Sequence, residues 1–243
     1  MSVLQAIADN LWLAEGPNVV FFGFPYSTRM VVARLPEGLW VWSPIALSDD
    51  LRTEVDALGP VRWLVSPNKI HHLFMGDWHR AYPDSKLCGL PQIVHKRDDL
   101  TFEIHLDDAP PPAWAEHIDQ VIFRGSIAME EIVFLHRSSG TAIFGDLIEN
   151  FEQAFLDANW KRWQARCAHF IGITAPDGKA PLDYRASFIR RGRAREALIK
   201  VLAWAPRRVL MAHGTWIDAI GPDGQADDTI ALEFLKRSFS WLS

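Results

Sequence analysis

Val61-Arg62-Trp63-Leu64-Val65-Ser66-Pro67-Asn68-Lys69-Ile70-His71-His72-Leu73-Phe74-Met75-Gly76-Asp77-Trp78 decides how this chain is read. Its apolar run ends in Ser-Pro-Asn, a polar, turn-prone triplet, which is the pattern of a buried strand. Residues 70–78 can continue as a helix. Two adjacent histidines, His71 and His72, therefore fall where a strand delivers the chain to a helix. In open α/β architectures ligands collect at the carboxyl ends of strands, so this placement matters more than the residue type. Adjacent side chains point in different directions on a helix or a strand. A His-His pair without partners is a surface or capping feature, so the rest of the chain has to supply the partners.

Upstream, residues 11–15 are apolar and Gly16-Pro17-Asn18 reads as the turn that closes them. Residues 19–24 and 29–34 are β-branched and aromatic runs on either side of Pro25-Tyr26-Ser27-Thr28, and Glu37-Gly38 turns into Leu39-Trp40-Val41-Trp42-Ser43. That spacing predicts an antiparallel meander. Ser48, followed by Asp49 and Asp50, starts a helix that runs to about Leu58, with the acidic residues at its positive end.

Downstream, residues 86–90 read as a short strand and residues 91–112 as a polar connector ending in three prolines. Strands are expected at 118–123, 131–136 and 141–146, the last two joined by Arg137-Ser138-Ser139-Gly140 and the last ending in Gly145-Asp146. Residues 151–170 and 183–204 read as helices, the second carrying an arginine run that suits a solvated face. A buried strand at 207–212 delivers His213-Gly214-Thr215, and residues 227–241 close the chain as a helix. With no repeat and no low-complexity segment, one domain over residues 1–243 is the simplest account.

The totals narrow the function classes. The chain is 49% hydrophobic and 23% charged, enough apolar material for a sizeable core. A net charge of -5 argues against a dedicated nucleic-acid partner. Cys88 and Cys167 are far apart and outside any C-x-x-C spacing, so neither a disulfide framework nor a cysteine zinc cluster is expected. No secretory leader pattern and no run of about 18 apolar residues is present, which leaves a cytoplasmic protein without a membrane partner as the expectation.

Three strand ends now carry metal-competent side chains: His71 with His72, Asp146, and His213. Imidazole nitrogen and carboxylate oxygen are ligands for zinc or iron(II), and three or four of them with open positions make a catalytic site. His79, His169, Glu149 and Asn150 are weaker candidates. No nucleophile elbow, P-loop or dinucleotide fingerprint occurs.

At this point the order of elements resembles the metallo-β-lactamase fold, and more narrowly a branch of that superfamily, DUF4336, in which Asn-x-x-His-His, here Asn68, His71 and His72, stands at the metal-motif position. The resemblance implies an α/β, four-layer αβ/βα sandwich. The family motif His-x-His-x-Asp-His falls on residues 67–72, so that Pro67 and Lys69 replace two histidines, His71 takes the aspartate position and His72 matches a histidine directly. Ser126 stands where a further histidine is expected, and the aspartate usual after an earlier strand is replaced near Ser43. Gly145-Asp146 and the late His213 are retained. All three histidines of one metal position are thus missing, while the other keeps a ligand type at each place. The resemblance implies a site for one divalent metal ion, zinc or iron(II), held by His71, His72, Asp146 and His213. Asp146 and Lys69 would serve the chemistry, Lys69 either by holding an anionic group of a small-molecule substrate or simply as a solvated cation. The reading is a mononuclear metal-dependent hydrolase; the rival is a metal-free, inactive binding or scaffold protein with the same fold.

Overall fold

The structure is a computed structural model that describes residues 2–221, 224–225 and 227–243. Its first sheet begins with an antiparallel meander, as expected, but with an unexpected first strand: β1 (Gln5–Ala8), β2 (Leu11–Phe21), β3 (Phe24–Leu35) and β4 (Gly38–Trp42) pair antiparallel in order. β5 (Val61–Val65), β6 (Lys86–Gly89) and β7 (Phe102–His105) then add in parallel to give the order β1-β2-β3-β4-β5-β6-β7. Parallel neighbours need crossovers, and α1 (Asp49–Leu58), α2 (Met75–Ala81) and α3 (Pro91–Lys96) supply them. The second sheet has the order β12-β11-β10-β9-β8. It is built from β8 (Ile118–Phe123), β9 (Glu131–His136), β10 (Thr141–Asn150), β11 (Arg208–Gly214) and β12 (Ile217–Asp218). Helices α4 (Gln153–Asn159), α5 (Arg162–Ile171), α6 (Leu182–Ser187) and α7 (Arg191–Ala203) lie between β10 and β11, and α8 (Thr229–Ser238) follows β12.

Alternation along the strands sorts the apolar residues into layers. Val31, Ala33, Trp40, Trp42 and Trp63 of the first sheet face Ile122, Ile132, Phe134, Ile143 and Leu210 of the second in one shared cluster. The intervening residues, among them Val32, Val41 and Leu64, pack outward on Leu51, Val55, Met75 and Trp78 of α1 and α2. Phe123, Val133, Phe144 and Met211 do the same against Ala194, Ala197 and Val201 of α7 and Phe234 and Leu235 of α8. Two inner faces share a core and each outer face carries helices, which is the αβ/βα order. No helix among the described residues is long and apolar enough to cross a membrane.

Several expected boundaries move. Gly16-Pro17-Asn18 does not end β2; the strand continues past a bulge between Gly16 and Val19, and the hairpin turns at Phe22-Gly23. Both turn residues have positive φ, 47° and 84°, as a tight two-residue hairpin requires, and Phe22 hid this because aromatic residues seldom mark turns. Pro25-Tyr26-Ser27-Thr28 accordingly lies within β3. The helix expected over residues 70–78 starts only at Met75, because Asn68 Oδ1 captures the amides of Ile70 and His71 at 3.0 and 3.3 Å and holds them in a turn. The connector at 91–112 contains α3, with proline at its first position, and the edge strand β7. Residues 151–170 form two helices, broken where the buried Trp160 sends Nε1 to the Pro25 carbonyl at 2.5 Å. Residues 183–204 also form two, because Phe188 leaves the helix to bridge Ser126 and sink into the core.

Candidate metal centre

Strands of both sheets and the loop after β5 meet at one edge of the sandwich. Ser66 follows β5, and its one hydroxyl proton is shared between the carbonyls of Asn68 and His71 at 2.7 and 2.9 Å. The loop after it is tied to the second sheet by the Ile132 amide on the Pro67 carbonyl, 2.9 Å. These bonds and the Asn68 side chain turn His71 inward. From the opposite sheet, β10 carries a bulge: its register with β11 passes from Phe144–Met211 to Glu149–His213, so residues 145–148 face Ala212 alone. The bulge sends Asp146 into the same edge.

The buried carboxylate of Glu131 holds that bulge in shape. Oε1 accepts from the Gly145 and Leu147 amides at 2.8 and 3.3 Å, and Oε2 accepts from the Asp146 amide at 2.7 Å and Asn68 Nδ2 at 3.0 Å. Asn68 Nδ2 also donates to Asp146 Oδ2 at 2.7 Å, so one amide ties the β5 loop to both carboxylates. Gly145 leaves room for this network: a Cβ there would lie 2.9 Å from Glu131 Oε2 and 3.1 Å from Asn68 Nδ2, so those side chains would have to shift.

At the centre, His71 Nε2 stands 3.2 Å from Asp146 Oδ2 and His213 Nε2 stands 3.3 Å from Asp146 Oδ1. One ligand atom from each of the three residues lies within 4.8 Å of the others. The far side of each ring is fixed. His213 Nδ1 donates to the Ser27 carbonyl at 2.6 Å, and His71 Nδ1 meets Ser43 Oγ at 2.7 Å. Ser43 is itself held in the left-handed region, φ 48°, a conformation costing about 1–3 kcal/mol that persists only where its surroundings impose it. Trp42 lies against His71 with ring centroids 5.8 Å apart, and Tyr26 against His213 at 5.0 Å.

Electrostatics follow from burial and from these partners. Burial pushes the Asp146 carboxyl up, but the two facing imidazoles outweigh it and hold the group well below the usual carboxylate range. Burial alone would lower His71, yet Asp146 overrides it and raises the ring. Burial and the charge of Asp146 lift Glu131 to about 7, against the backbone amides that favour its ionised form. Glu149, buried where β10 resumes its pairing with β11 after the bulge, is raised well above its ordinary value by burial first and then by Asp146 and Asp183.

Whether these residues suit a metal can be tested on hydrogen positions. A carbonyl only accepts, so His213 Nδ1 carries a proton and a neutral ring presents a bare Nε2 lone pair to Asp146 Oδ1. Two acceptors 3.3 Å apart repel unless a cation lies with them. Two ligands each about 2.1 Å from a tetrahedral ion stand about 3.4 Å apart. Two imidazoles and one carboxylate with outer partners on both rings are a donor set for zinc or iron(II). The residues fit.

Of the four ligands expected from the sequence, the structure brings together His71, Asp146 and His213 and leaves out His72. The correction has a simple cause: the next residue on the turn points the other way. Arg97 Nη1 reaches His72 Nδ1 at 3.1 Å and its carbonyl at 2.9 Å. Burial, Lys96 and Arg97 lower His72 to about 4, which keeps the ring neutral. Lys69 directs Nζ to the Ala128 carbonyl, beside the loop that carries Ser126. Ser126 Oγ bonds Ser187 Oγ at 2.7 Å, while His79 and His169 meet Ser85 and Gln153, so none joins the group. Sequence reasoning passed over Glu131, whose signal was a charged residue opening an otherwise apolar strand. It also read Ser43 as a loss, although the serine takes up a bond to His71.

A family profile described as a domain of unknown function (DUF4336) matches residues 8–168. The chain belongs to that family. No curated protein sequence matches it. Among solved structures, this DUF4336 protein is similar to DIM-1 metallo-β-lactamase exposed to ceftazidime, with 14% identity, a TM-score of 0.62 and coverage of 98% of this chain and 95% of the other. It is similar to TMB-1 at 13% identity and a TM-score of 0.64, over 98% and 95% of the two chains. A metallo-β-lactamase from Erythrobacter litoralis, with β-mercaptoethanol in its active site, gives 10% identity and 0.65, again over 98% and 95%. At such identities the likeness establishes the metallo-β-lactamase fold and nothing finer.

Proposed function

We propose that this DUF4336 protein is a mononuclear metal-dependent hydrolase of a small-molecule substrate, and that residues 1–243 work as one domain around the core shared by the two sheets. The observation that carries the proposal is the three-residue group: two ring nitrogens with fixed outer partners converge on one buried carboxylate. His71, Asp146 and His213 would hold one divalent ion, zinc or iron(II). Such an ion supplies Lewis acidity and makes water a nucleophile near neutral pH. The chain's own residues do the rest. The Ser27 carbonyl and the Ser43 hydroxyl set the ring orientations, Glu131 and Asn68 fix the Asp146 carboxylate, and Asp146 would be the residue to take up a proton released at the site. Lys69 spends one N–H on Ala128 and has two more to offer an anionic group on the substrate. The net charge of -5 weighs against nucleic acid as that substrate.

A second reading rests on the same distances. Asp146 already accepts from Asn68 and meets both rings, so a proton on each histidine would close the group as an ion triad without metal, in a scaffold that has lost the chemistry. The two readings divide on a screen of ester, thioester, lactone and phosphodiester substrates with metal-loaded wild type and His213→Ala. Turnover that disappears in the variant, with the fold retained, supports the hydrolase. Equal rates in both, or none in either, support the scaffold.

A further inference from the structure

We propose that the aromatic tip of the β2–β3 hairpin and the outward face of α5 form one surface that docks on an anionic lipid bilayer. The hairpin tip is apolar and open: Val20 is 76% and Phe22 88% exposed. It rests on α5 through Gln164 Nε2 on the Gly23 carbonyl, 3.0 Å, and through Phe24 against Trp163, centroids 5.6 Å apart. The outward face of α5 continues the patch. Trp163, Arg166, Cys167 and Phe170 recur at i, i+3, i+4 and i+7 and are all exposed, Trp163 at 56% and Phe170 at 83%, while Gln164 and Ala168 are buried on the opposite face.

Charge selects the occupant. The segment from Trp160 to Gly172 holds Lys161, Arg162 and Arg166 and no acidic residue, and the segment from Gly16 to Thr28 holds no charged residue at all. Among the described residues none of these three cations makes an ion pair, although the protein as a whole is acidic. Cations interleaved with tryptophan and phenylalanine on one face of an amphipathic helix are the composition of an interfacial helix, whose apolar side chains enter the headgroup region while the cations meet anionic lipids. Tryptophan favours that boundary, having an apolar body and a polar N–H. A second copy of this chain fits the patch poorly, since a two-fold contact would place its cations against themselves. The proposal is for a surface contact and requires no crossing helix.

The docking surface is continuous with the metal centre. Ring contacts run from His213 to Tyr26 at 5.0 Å, from Tyr26 to Phe21 at 6.1 Å, and from Phe21 to Phe22 at 4.6 Å. Docking at Phe22 would therefore bring the edge that carries the site toward the bilayer.

The test is co-sedimentation of the full chain with vesicles of phosphatidylcholine alone and with 30% phosphatidylglycerol, about a third of the lipid being charged in the second set. Binding should be at least about tenfold tighter to the charged vesicles and should weaken with added salt, since cations near such a surface are drawn by its negative potential and salt screens that attraction. Arg162→Glu with Arg166→Glu should abolish it. Phe22→Ser with Trp163→Ser should weaken it about tenfold or more while leaving the circular dichroism unchanged, because both side chains lie outside the core. No partition onto charged vesicles at ~0.1 M salt, or equal binding to both compositions, would overturn the proposal. So would a dimer in solution that the Phe22→Ser, Trp163→Ser variant dissociates, which would make the face a contact between copies, or saturable binding to an acidic polypeptide with none to lipid.

Discussion

At the residue scale, the site depends on groups that touch no ligand. Glu131 accepts four N–H bonds, three from the bulge that presents Asp146, so its loss strands several buried donors at once. Glu131→Ala should lower stability by about 3 kcal/mol or more, as unpaired buried donors cost about 1–3 kcal/mol each. Glu131→Gln, of equal size, keeps acceptance at one oxygen only and should fall between. Urea midpoints of the three proteins check the order, and equal midpoints would show that the bulge holds itself. Gly145→Ala attacks the same point sterically. Its Cβ would meet Glu131 and Asn68 at 2.9 and 3.1 Å, so Asp146 should shift and metal affinity should drop at least tenfold in a chelator competition. Unchanged affinity would mean that the bulge relaxes freely.

At the element scale, the sequence showed the strands better than the helices. Buried strands such as β4 and β5 are apolar throughout or nearly so, and Leu39-Trp40-Val41-Trp42 and Val61-Arg62-Trp63-Leu64-Val65 are legible for that reason. The helix breaks at Trp160 and Phe188 were not, because each is set by a distant partner, Pro25 in one case and Ser126 in the other. The site shows the same division. His213 was legible as a polar residue closing an apolar strand. Asp146 was legible as a polar residue after an apolar run, although β10 does not end there but continues past the bulge to Asn150. The choice of His71 over His72, by contrast, rests on Asn68, Ser43 and Arg97, contacts that no local spacing encodes. One strand end also sets a response to acid. Burial, with some help from His117, lowers His136 on β9 to about 4. The unfolded chain, with a histidine near 6.5, then binds that proton more readily. Its contribution is full above pH 6.5 and is lost as pH falls toward 4, by up to about 3 kcal/mol. The urea midpoint should therefore fall further in wild type than in His136→Gln between pH 7 and 4.5; parallel curves would contradict this.

At the scale of the whole molecule, the two sheets are joined by one apolar layer, in which Trp40 of β4 meets Phe134 of β9 edge-on with centroids 5.0 Å apart. Truncating a buried aromatic of that size costs about 3–5 kcal/mol. Trp40→Ala should therefore lower the denaturation midpoints of both sheets together, read by tryptophan fluorescence and far-ultraviolet dichroism. Two separated transitions, with only the first sheet affected, would divide residues 1–243 into independent units. The layer also explains how a site assembled from both sheets keeps distances of 3.2 and 3.3 Å: β5 and β10 reach the edge from opposite sides of one packed core.

The central claim is that His71, Asp146 and His213 form a site for one metal ion. It is tested most directly by elemental analysis of wild type and His213→Ala, each purified without chelator, incubated with zinc or iron(II) and freed of unbound ions. Wild type should hold close to one ion per chain and the variant almost none, with its dichroism unchanged. No retained metal in the wild type, two tightly held ions per chain, or equal metal in the two proteins would contradict the account.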